Sequence, residues 1–218
     1  MSLQQAFHEL VTLELVLAWV AVSLVSVGVL WLDLRRNNRS LPSMMKLVWT
    51  LTVLYSGVLG LGVYWYSGRS QIREDTFLRR GMRSTAHCYS GCGVGEAIGV
   101  TLAAGILLLN TVGVTATTFA LAYTFGLAFT VGPLLQEGVA LPEAFSDAVY
   151  SETGSIVAME TVAIGSDIYL AGEATIGEPV FWASLAVSLS LGFLAAYPIN
   201  LGLLHVGVKE GMGDPSAM

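Results

Sequence analysis

The residues of this chain best suited to chemistry are gathered in one stretch, Ser84-Thr85-Ala86-His87-Cys88-Tyr89-Ser90-Gly91-Cys92-Gly93-Val94-Gly95-Glu96. It holds both cysteines and one of the three histidines. On a helix turning ~100° per residue, positions four apart drift only ~40°, so Cys88, Cys92 and Glu96 line one stripe. Thiolates with an imidazole suit Cu(I) or Zn(II), and a carboxylate adds a preference for zinc. Two thiolates one turn apart can reach a single ion, as two histidines do in zinc-binding helices. His87, Cys88, Cys92 and Glu96 are therefore candidate ligands. The spacing is not a CxxC, so neither a zinc ribbon nor a thioredoxin-type pair is indicated. Haem ligation by His87 lacks a second histidine at matching depth. The plain alternative is two small buried cysteines in a packing seam.

Further along, Met159 and Glu160 supply a soft and a hard candidate ligand, and Asp167 shares a face with Glu160. An ionisable group inside a membrane is costly to place there, so Glu96 and Glu160 are read as functional, each a ligand or proton acceptor. The competing reading is a protonated acid bonded to a neighbouring helix. The third and fifth spans start from the same side of the membrane, so Glu96 and Glu160 are expected to share a pocket with Cys92. Beside the cysteine stripe runs a second one, Gly91, Gly95, Gly99 and Ala103. Small residues every fourth position let another helix approach closely in a membrane, within the chain or across a homo-oligomer.

These side chains need a membrane bundle to hold them. The 218 residues are 54% hydrophobic and only 12% charged, where a soluble domain carries about 25% charged residues. The apolar residues fall in blocks of about 20, the span of a bilayer core. The fold class expected is all-α, a polytopic transmembrane bundle of about six spans in the cell membrane. The spans run near 10–34, 44–66, 92–110, 114–136, 152–170 and 179–206. Residues 1–67 form a two-span hairpin, 68–86 a basic polar linker or interfacial helix, and 87–212 a four-span core. The first apolar run is too long for a signal peptide. Pro198 predicts a kink in the sixth span. Six spans place both termini on one side. That side holds Arg69, Arg73, Arg79, Arg80, Arg83 and Lys209, against Arg35, Arg36, Arg39 and Lys46 on the other, a small asymmetry. The net charge of −6 and the lack of a basic stripe exclude nucleic acid as a partner.

The run from Ser84 to Glu96 resembles the signature of a prokaryotic membrane family, domain of unknown function 4396. Gly132-Pro133-Leu134-Leu135, Ser155-Ile156-Val157-Ala158-Met159-Glu160, Pro179-Val180-Phe181-Trp182-Ala183-Ser184 and Tyr197-Pro198-Ile199-Asn200 are similar to further parts of it. The resemblance spans about Met82–Met212. It implies a four-span core and no established activity. Where that family often carries another acid after the glutamate, this chain has Ala163. The functional expectation is binding, and with it transport, of Cu(I) or Zn(II) through His87, Cys88, Cys92, Glu96, Met159 and Glu160. The rivals are a thiol-disulfide oxidoreductase using Cys88 and Cys92, and a structural membrane subunit.

Overall fold

A computed structural model describes residues 1–217. Among them every regular element is helical: α1 (Leu3–Leu10), α2 (Leu13–Arg36), α3 (Ser43–Ser67), α4 (Phe77–Val100) running on into a π-helical turn (Thr101–Ile106), α5 (Thr111–Gln136), α6 (Leu141–Ala171) and α7 (Pro179–His205). Polar side chains start several of these. Thr12, Thr76 and Asn110 accept the first free amides of α2, α4 and α5. Pro142 and Pro179, which need no helical hydrogen bond there, open α6 and α7. The latter helix continues through Pro198. Five helices, α2, α3, α5, α6 and α7, are long and apolar enough to cross a membrane. The chain is a helical membrane protein.

Two helices are longer than the sequence suggests. α6 begins at Leu141, well before Glu152, because Pro142 and Glu143 suit a first turn. α4 begins at Phe77 rather than near Cys92, so only residues 68–76 remain as loop. Its polar start is tolerated inside because it is bonded there. Arg83, 1% exposed, donates to Asp75 and to the carbonyls of Ser67 and Met212. α4 is the central helix, packed between α3, α5, α6 and α7. Its glycine stripe meets α5. A Cβ at Gly95 would lie 2.5 Å from Cα of Ala122, and one at Gly99 2.6 Å from Cα of Thr118. The stripe is thus consumed within the chain, the first of the two alternatives, and a homo-oligomer contact through Gly91, Gly95 and Gly99 is not supported because α5 occupies that surface.

α3 departs most from expectation. It is not a straight rod, because Gly57 adopts φ 55° and ψ −128° and breaks the helix. The residues after Gly57 fold back along those before it. A Cβ at Gly60 would lie 2.9 Å from Cα of Val53, which is possible only if the two halves run side by side. Tyr64 and Arg69 accordingly reach Asp33 at the end of α2. α3 enters the bundle, turns at Gly57 and returns to the end it came from. Irregular backbone at that depth needs cover. Gly57 is buried, and its neighbour Ser56 bonds the Tyr89 hydroxyl at 2.7 Å.

This fold-back overturns the expected arrangement of the termini. α1 lies at one end of the bundle, where His8 Nε2 donates to the Leu170 carbonyl. Lys209 and Met212 lie at the other, against Glu152 and Arg83. The expected split of basic residues goes with it. Arg35, Arg36, Arg39 and Lys46 now share an end with Arg69, Arg73, Arg79, Arg80, Arg83 and Lys209, which accounts for all 10 Lys and Arg. Such concentration is the mark of a cytoplasmic face.

Candidate functional site

The polar interior lies between α4 and α6, with α5 and α7 closing it. At the basic end Glu152 forms a buried pair with Lys209, Oε2 to Nζ 2.6 Å, and Lys209 also donates to Asn200 Oδ1 at 2.9 Å. The Thr130 hydroxyl donates to the other carboxylate oxygen of Glu152 at 3.3 Å. His87, 2% exposed, meets Phe129 edge-on and lies in the field of this ion pair. Its Nδ1 has no partner among the described residues.

One residue further along α4 the stripe turns to α6. The Cys88 and Cys92 sulfurs are 3.9 Å apart, both buried and both free. Gly126 of α5 makes room for them, since a Cβ there would lie 3.0 Å from the Cys92 sulfur. Glu160 is 0% exposed and lies close to both cysteines. Neither of its oxygens has a hydrogen-bond partner among the described residues. Glu96 is 1% exposed with Oε2 unpartnered, and it lies in the field of Glu160 and of Asp167. Tyr55 and Tyr89, stacked edge to face with centroids at 5.6 Å, stand on its α3 side. A buried carboxyl with no hydrogen-bond partner is expensive, so groups left in this state point to a role other than packing.

The six candidate ligands therefore do not form one cage. Among the described residues no three His, Cys, Asp or Glu side chains converge to hold a metal ion. His87 belongs with Glu152 and Lys209, and Met159 packs on Gly192 of α7. Glu160 is brought near both cysteines and near Glu96, and Glu96 near Asp167. Helical spacing made part of this legible: on α6, Glu160 and Asp167 are seven residues apart, close to two whole turns, whereas Glu152, eight residues before Glu160, is turned ~80° away towards Lys209. Lys209 and Asn200 were missed. Asn200 sits in a motif quoted for its resemblance alone, and Lys209 reads as an ordinary loop charge until the tail folds inward.

The sulfur geometry separates two chemistries. Two metal–sulfur bonds of ~2.3 Å subtend ~115° across a 3.9 Å gap, near tetrahedral. A disulfide instead needs Cβ atoms ~3.5–4.5 Å apart, and i, i+4 positions on a helix hold them at ~5–6 Å. Closing that bond would require the backbone of α4 to move.

Comparison with known proteins gives a family and nothing more specific. The family described as "Domain of unknown function (DUF4396)" matches residues 79–209, more than half of the chain, and the chain belongs to it. No curated protein and no solved structure matches.

Proposed function

We propose that this member of the DUF4396 family binds a soft transition-metal ion, Cu(I) or Zn(II), at Cys88 and Cys92, and moves it along the carboxylates of α4 and α6. The observation that carries the reading is the 3.9 Å separation of two buried free thiols beside a carboxyl with no hydrogen-bond partner. The thiols bind as thiolates and release protons when the ion arrives. Glu160, buried beside both cysteines, is the candidate third ligand. Glu96 and then Asp167 continue the path towards the end of the bundle that has no basic residue. His87 lies on the side of the Glu152–Lys209 pair and is not part of this path. The oxidoreductase reading is weaker because i, i+4 helical cysteines resist disulfide closure.

Metal content per chain after purification in Cu(I)- or Zn(II)-supplemented medium tests this. The wild type should carry close to one ion, Cys88→Ser and Cys92→Ser almost none, and Glu160→Gln a reduced share. Metal-free wild-type protein with two thiols reactive after denaturation would overturn it. A disulfide that appears only without reductant would instead select the redox reading.

A further inference from the structure

We propose that the loop joining α3 to α4 is a binding site for the phosphodiester headgroup of an anionic phospholipid in the cytoplasmic leaflet. A concavity of about 460 Å³ opens there, and its walls include Trp65, Arg69, Arg73, Glu74 and Arg79. The arginines are not equivalent. Arg69 is neutralised by Asp33, at 2.9 Å. Arg79 is fixed by donating to the carbonyls of Tyr66 and Glu74, which hold the guanidinium without cancelling its charge. It also lies over the Tyr66 ring at 5.1 Å. Arg73 is exposed and makes no hydrogen bond or ion pair among the described residues. Two uncancelled guanidinium groups thus face one opening against the single carboxylate of Glu74. Planar guanidinium groups match phosphate oxygens in pairs of hydrogen bonds.

The surroundings select a lipid over a free anion. Trp65, Tyr66, Phe77 and Leu78 flank the concavity at 42–50% exposure, at the end of α3 and the start of α4. Exposed aromatics at helix ends sit at headgroup depth. An acyl chain would lie along them, which free phosphate has no means to do. The site also lies on the face that holds every Lys and Arg of the chain, the face that meets anionic lipids. It is separate from the cysteine site and stands whether or not metal binds there.

The test is native mass spectrometry of the full chain in neutral detergent, titrated with phosphatidylglycerol or phosphatidylcholine. Phosphatidylglycerol should stay bound where phosphatidylcholine does not. Arg73→Gln and Arg79→Gln should each weaken it about five-fold, and the pair about 25-fold. Arg39→Gln, on the same face but outside the concavity, should change nothing. If the double variant elutes as misfolded protein, Arg73→Gln decides alone, since Arg73 holds nothing else in place. Equal retention of both lipids, or unchanged retention in Arg73→Gln, overturns the proposal. Displacement of the lipid by millimolar inorganic phosphate also overturns it, in favour of a free-anion site.

Discussion

The indole of Trp49 meets the ring of Tyr64 edge-on, with centroids 5.4 Å apart. Fifteen residues of straight helix would separate them by ~22 Å. The contact exists because α3 turns back at Gly57, and that turn decides the topology, the charge asymmetry and the walls around the candidate site.

Topology follows directly. Cysteines introduced at Asn37 and at Ser146 should be labelled by an impermeant maleimide from the same side of the membrane. One at Thr175, in the loop after α6, should be labelled from the other. A straight α3 would instead put Asn37 with Thr175.

Gly57 is the residue that permits the turn. An alanine there would take a positive φ and crowd Ser23 Oγ and Trp19, and strain of this kind costs about 1–3 kcal/mol. Gly57→Ala should lower the thermal midpoint. Gly62→Ala is the control, because nothing lies within 4 Å of its added Cβ. Gly62→Ala should be neutral or raise the midpoint, since alanine favours helix by up to ~1 kcal/mol. Equal effects of the two would mean that Gly57 is not a conformational hinge.

The glycine stripe makes a prediction about where damage appears. Gly95→Leu drives side-chain bulk into the backbone of α5, and overpacking costs about 1–3 kcal/mol. Stability should fall while the oligomeric state by light scattering stays as in the wild type. A change of assembly without loss of stability would return the stripe to an intermolecular role.

The buried pair of Lys209 and Glu152 should show strong non-additivity. Lys209→Met leaves a carboxylate unpaired in the interior, a loss of about 3–5 kcal/mol. Adding Glu152→Gln removes that charge and should recover much of the stability. Denaturant unfolding of the two singles and the double measures the coupling. Additive effects would place the pair in water.

The sequence by itself determined the class of fold and the register of the site. Blocks of about 20 apolar residues can satisfy their backbone in a bilayer as helices, and helical periodicity alone puts Cys88, Cys92 and Glu96 on one stripe and Glu160 and Asp167 on another. The cost of turning acids to lipid argues that both stripes face inward, but that they meet depends on α4 and α6 being neighbours, which the sequence does not give. Tertiary structure decided what depends on contacts between distant residues. The run from Ser43 to Ser67 has the same composition whether straight or folded, so hydropathy cannot see the turn that Gly57 allows and that Asp33, Tyr64 and Arg69 hold. The tail of the chain carries one lysine whose destination, Glu152, lies 57 residues away in sequence. The glycines promised a close neighbour, but only packing could choose α5 over a second chain, because a smooth surface fits either equally well until one of them occupies it.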